Sequence, residues 1–200
     1  MCGFQSHAAF NDSACGHTKG CFLPADPECY QGCNGMRFSW LLIGENLMEI
    51  EMSVNADSAD EVYVAMGFSS DDLMGDESVI ECSALQGLPL SLKLSYNVNA
   101  TTDPTTNGEP TNWRLPSAGS EFLDKSKTSF VDGSIYCSAT LNVSEAVGAG
   151  LLRFDPARLY YLLMANGPTG SEGNSSINNS IKNHFCTTQY RASGLARRIT

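Results

Sequence analysis

Two side chains in this sequence, Met74 and His184, are set where a ligand role has to be weighed against an ordinary structural one. Met74 sits in a polar loop, SSDDLMGDE, between acids and with a glycine directly behind it. Such a loop has little use for a flexible thioether. Either the side chain folds back as filler at one end of a β-structure, as methionines often do, or its sulfur is presented to a ligand. His184 closes a long Gly/Ser/Asn stretch and precedes Phe185 and Cys186; by itself it reads as an ordinary loop histidine. The other histidines, His7 and His17, lie in a cysteine-rich start and are expected to be solvated. Three imidazoles are too few for a multi-copper centre. Asp71, Asp72, Asp76 and Glu77 do not follow EF-hand spacing and are expected at the surface. There is no G-x-S-x-G elbow, and no serine has a histidine and an acid at recognisable spacing, so no hydrolase is assigned.

The eight cysteines are the next reactive set: Cys2, Cys15, Cys21, Cys29, Cys33, Cys82, Cys137 and Cys186. Structural zinc favours paired gaps of two to four residues. The spacing of Cys15, Cys21, Cys29 and Cys33 fits that poorly, so disulfides and an oxidising compartment are expected. Five N-x-S/T sequons, at Asn11, Asn99, Asn142, Asn174 and Asn178, agree with an extracellular or luminal setting. The start has no signal-peptide pattern, so an ectodomain without its flanks is expected. No apolar run reaches the ~20 residues of a membrane helix. A formal charge of −10 argues against nucleic acid, whose phosphates call for Lys and Arg.

The elements that must position these residues are strands. Met48, Ile50, Met52 and Val54 alternate with Glu49, Glu51 and Ser53, which predicts a strand with one wet face. Leu90, Leu92, Leu94, Tyr96 and Val98 alternate with Ser91, Lys93, Ser95 and Asn97. Ile135, Cys137, Ala139 and Leu141 mark another such strand. The apolar runs from Val62 to Phe68 and from Arg158 to Ala165 read as buried strands, the second closed by Asn166-Gly167-Pro168. Residues 100–120 and 166–183 read as loops, and Ser144 to Leu152 as a short helix. About eight turn-separated strands indicate an all-β, immunoglobulin-like antiparallel β-sandwich. The expected organisation is an irregular disulfide-rich N-terminal cap over 1–36, the sandwich over 37–192 and a tail over 193–200. The cap is expected to be disulfide-linked to the sandwich through Cys82 and Cys137.

Several of these segments together resemble a DOMON domain. They are Trp40, GFSSDDLMGDESVIEC from Gly67 to Cys82, YYLLMANGP from Tyr160 to Pro168, and the polar loop ending in His184. The lead-in from Cys15 to Phe22, followed by Cys29 and Cys33, is similar to that of the ferric-chelate reductase 1 and ferric-chelate reductase 1-like branches. The resemblance implies a sandwich that binds haem b, with Met74 and His184 as axial ligands and Lys182 placed to meet the propionates. Met/His ligation raises the reduction potential, which suits an extracellular electron-transfer module. Its partners would be an electron donor and acceptor, among them a membrane-bound b-type cytochrome module. Two alternatives stay open: a haem-free interaction module, one branch being linked to glutamate-receptor assembly, and a sugar or small-aromatic binder.

Overall fold

In a computed structural model, the described residues are 9–23, 35–60, 62–71, 77–84, 88–98, 111–114, 121–148, 152, 155, 158–169 and 186–191; for 98, 111–114, 148, 159, 168 and 186–191 this means the backbone alone. Among them run eleven strands and one short helix. The strands are β1 (Gly20–Phe22), β2 (Arg37–Ile43), β3 (Leu47–Asn55), β4 (Val62–Ser69), β5 (Ser78–Ser83), β6 (Ser91–Val98), β7 (Thr111–Arg114), β8 (Leu123–Val131), β9 (Ser134–Asn142), β10 (Leu159–Pro168) and β11 (Cys186–Arg191). The helix, α1 (Val143–Gly148), follows β9 directly. Asn142 Oδ1 accepts from the Glu145 N–H at 3.3 Å and so caps its first turn.

The strands form a five-stranded sheet, ordered β1-β2-β3-β9-β8, and a six-stranded sheet, ordered β11-β10-β4-β5-β6-β7. Every strand pairing is antiparallel. The alternating apolar positions do what period-2 patterning requires. Met48, Ile50, Met52 and Val54 from β3 and Ile135, Cys137, Ala139 and Leu141 from β9 are buried in one core with Val64, Met66 and Phe68 of β4. Aromatic rings line the core: Phe38 of β2 meets Phe68 of β4 edge-on across the two sheets at 6.4 Å, and Phe68 meets its same-sheet neighbour Tyr160 edge-on at 6.0 Å. The chain is an all-β, two-sheet sandwich.

Four expectations are corrected. Gly20–Phe22, expected to be irregular, adds an edge strand to β2 with Gly20 opposite Trp40. Only glycine fits there, because a Cβ would lie 2.3 Å from the Trp40 indole. Cys82 and Cys137 do not reach the cap; they bond to each other across the sandwich, with Cα atoms 6.3 Å apart. Cys15 bonds to Cys21 inside the N-terminal segment. Asn166-Gly167-Pro168 does not close β10 but remains in register opposite Val64, Tyr63 and Val62. The stretch expected to be one loop over 100–120 contains β7, which pairs with the end of β6.

The outer face of the six-stranded sheet is also covered. Tyr63, Ala65, Val79 and Ala165 form a second, smaller buried cluster there. Ser95 and Asn97, expected on a wet face, are 0% and 7% exposed. Glu77, expected to be solvated, is 1% exposed and accepts a hydrogen bond from Asn97 Nδ2 at 3.0 Å. A buried carboxylate demands such a donor.

Candidate functional site

Met74, His184 and Lys182 lie outside the described residues, as do Cys2, Cys29 and Cys33; Cys186 is described in its backbone only. The strands that carry these segments are described. The segment holding Met74 joins β4 to β5, and its start is shaped by the Asp71 N–H donating to Ser69 Oγ at 3.2 Å. The segment holding Lys182 and His184 joins β10 to β11. Its near end is pinned to the neighbourhood of β5, where Thr169 Oγ1 donates to the Ala84 carbonyl at 2.8 Å.

β4 and β10 are paired neighbours, with Ser69 opposite Tyr161; Cys186 at the start of β11 lies opposite Met164. At ~3.3 Å of rise per residue, these two anchor points are ~10 Å apart along β10. The two segments belong to neighbouring hairpins of one sheet but leave it at opposite ends, the first beyond Ser69 beside Tyr161 and the second beyond Pro168 beside Val62. The outer face of β4, β5 and β10 mixes small and apolar residues with buried polar ones, Glu81 lying opposite Ala65. Ala65 lies opposite Ala165 and Gly67 opposite Leu163, flanked by Tyr63 and Val79. A Cβ at Gly67 would stand 3.4 Å from that of Glu77. Ser83 Oγ, opposite Tyr63 on the same face, is buried without a hydrogen-bond partner among the described residues.

A second cluster lies on the outer face of the five-stranded sheet. Glu51 on β3 accepts from Ser39 Oγ at 2.8 Å and from the Tyr136 hydroxyl at 2.9 Å, and is ion-paired with Lys19. Lys19 Nζ also stands 4.9 Å from the centre of the Phe10 ring. Burial chiefly pushes the Tyr136 phenol up to about 12; a Ser138 hydrogen bond opposes the shift, and the charge and hydrogen bond of Glu51 add to it. Sequence reasoning missed this cluster. Its only local signal was the alternation of Glu49 and Glu51 with core residues, and nothing in the order of residues connects Lys19 to a strand 32 positions away.

Among the described residues, no group of three or more His, Cys, Asp or Glu side chains is placed to hold a metal ion. No described helix is long and apolar enough to cross a membrane.

Fold and bonding thus define an all-β sandwich of two antiparallel sheets, stapled by a disulfide between them. Over 84 residues the chain is 36% identical to the DOMON domain-containing protein FRRS1L of Mus musculus, and as similar to that of Homo sapiens. Those residues make up 42% of this chain and 27% of each relative, so the match spans about a quarter of the length of the curated relatives. The similarity supports a DOMON-type module and does not single out the ferric-chelate reductase 1 branch. No protein-family model matches the chain, and no solved structure does.

Proposed function

We propose that this chain is an extracellular DOMON-type module that binds haem b, with Met74 and His184 as axial ligands, and passes electrons between a donor and an acceptor. The acceptor or donor would be a membrane-bound b-type cytochrome module or a soluble partner. What supports this reading is the pairing of β4 with β10, which places the Met74 and His184 segments on neighbouring hairpins of one sheet; they leave it at opposite ends, so ligation of one iron requires both to fold back over its outer face. The small side chains of Ala65 and Ala165, with Gly67 beside them, leave room on that face, where Glu81 is the buried polar neighbour. Thioether and imidazole form a six-coordinate donor set that favours ferrous iron and leaves no open position. When bound, the haem would supply one-electron chemistry. The chain would supply the ligands and offset the propionates through Lys182. Disulfide bonding fits the oxidising compartment this requires.

One observation favours a second reading, a haem-free interaction module. The polypeptide alone already leaves Tyr63, Ala65, Val79 and Ala165 no more than 7% exposed.

The absorbance spectrum of protein produced with haem supplied, oxidised and then dithionite-reduced, separates the two. A six-coordinate spectrum that is largely lost in His184→Ala supports ligation. Met74→His should retain haem at a lower potential, and Met74→Ala should become responsive to carbon monoxide. Met66→Ala and Met164→Ala, both fully buried in the core and opposite each other, should leave the spectrum unchanged. Wild-type protein without a Soret band would transfer the assignment to the interaction module.

A further inference from the structure

The outer face of the five-stranded sheet carries a cleft of about 480 Å³, within the size range of small-molecule sites. Its floor is the polar side of β3 and β9, with Glu49, Glu51, Ser138 and Thr140. One wall is the loop that runs back from β1, with Asn11, Ala14 and Thr18 lining the cleft. The Cys15–Cys21 bond closes that loop, and the ion pair of Lys19 with Glu51 fastens it to the floor. The opposite wall is β8, where a break in register between Asp124 and Lys127 sets Lys125 at φ 53°. This bulge turns Lys125 and Lys127 to the cleft.

The charges decide what such a site would take. Three lysines against two glutamates leave the lining net positive, on a chain whose formal charge is −10. Glu51 is already neutralised by Lys19 and bonded to Ser39 and Tyr136. Lys125 and Lys127 make no ion pair or hydrogen bond among the described residues, and both are exposed. Thr18, Thr140 and the Asn11 amide supply neutral donors and acceptors along the cleft. A cationic edge beside hydroxyl-rich walls matches an anion that also carries hydroxyls.

We propose that this cleft is a binding site for a small hydroxylated carboxylate, its acid group held by Lys125 and Lys127 and its hydroxyls by Thr18, Thr140 and Asn11. The site lies on the opposite sheet from the Met74 and His184 hairpins, so it stands or falls independently of the haem reading. Glu49 faces the same space and opposes the anion, which gives the proposal a signed prediction. Asn11, exposed at the mouth, heads an N-D-S sequon. The test therefore runs in parallel on the wild type and on Asn11→Gln, which carries no glycan there.

The test is calorimetric titration at low ionic strength with D-gluconate, D-glucose and sulfate as probes. Gluconate should bind, while glucose and sulfate should bind at least about tenfold more weakly. Lys125→Gln with Lys127→Gln should weaken gluconate about tenfold, and Glu49→Gln should strengthen it severalfold. Cys15→Ser with Cys21→Ser should remove binding while the sandwich still unfolds cooperatively. Gluconate binding no tighter than sulfate, unaltered by the lysine substitutions, or weakened in Glu49→Gln would overturn the proposal, as would no binding in either background.

Discussion

Removing the inter-sheet disulfide should cost more stability than removing the N-terminal one, by an amount the loop lengths dictate. Cys82 and Cys137 are 55 residues apart and Cys15 and Cys21 only 6. Loop-closure entropy then gives ~4 kcal/mol for the first bond and ~2 kcal/mol for the second. Cys82 and Cys137 are both fully buried, so a Cys→Ala pair also leaves a small void, adding ~1 kcal/mol. With a urea slope of ~2 kcal/mol/M, Cys82→Ala with Cys137→Ala should lower the midpoint by ~2.5 M. Cys15→Ser with Cys21→Ser should lower it by ~1 M. Fluorescence of the buried Trp40 reports the transition, and non-reducing peptide mapping checks both pairings. Equal shifts, or a larger one for the short loop, would refute the entropic reasoning. A free thiol at Cys82 in oxidised protein would refute the pairing itself.

Three further perturbations follow from the packing. Gly20→Ala places a methyl group against the Trp40 indole and should destabilise by ~1–3 kcal/mol, with a shift in tryptophan emission. Glu51→Ala takes the shared acceptor from Lys19, Ser39 and Tyr136. It should cost ~1–3 kcal/mol and speed tryptic cleavage after Lys19. For Tyr136 the folded pKa, pushed up to about 12, lies above the ordinary phenol value of 10.0. The unfolded chain thus loses its proton first; stability is unaffected below pH 10 and falls as pH rises from 10 towards 12. Tyr136→Phe should flatten that part of a pH-dependent denaturation series.

Alternation along β3, β6 and β9 was legible because a period of two places every second side chain in one core, and Met48, Ile50, Ile135 and Leu141 obey it. The same alternation cannot say whether the other face is wet. Ser95 and Asn97 sit at positions the alternation makes wet and Glu77 in a polar loop, yet all three are buried, Glu77 with Asn97 as a donor. The disulfide partners were illegible for a related reason: eight cysteines permit 105 arrangements, and only the register of β5 and β9 in opposite sheets selects Cys82 with Cys137. Thr111–Arg114 was hidden by its surroundings, four residues of strand in a run of Thr, Pro, Asn and Gly. Asn166-Gly167-Pro168 looked like a stop because it has turn chemistry, but its antiparallel pairing with β4 keeps it extended.

The two outer faces differ in what evolution of a ligand site would require of them. On the six-stranded sheet the outer face mixes Ala65, Val79 and Ala165 with Glu81 and Ser83, all of them already buried. On the five-stranded sheet the face is polar and open, and its charges are partly pre-paired through Glu51. Between them lies a core in which Met48, Met66 and Met164 are fully buried, and close-packed interiors of that kind deform little. A ligand on one face can influence the other only by shifting a shared element, and the direct covalent tie among the described residues is the Cys82–Cys137 bond. Cleft variants such as Lys127→Gln should therefore leave any haem spectrum untouched, and a spectral change on gluconate binding would reveal coupling carried through that bond. Repeating the titration in Cys82→Ala with Cys137→Ala would then decide it: coupling that survives removal of the bond travels through the packed core, where Phe38 meets Phe68 between the sheets.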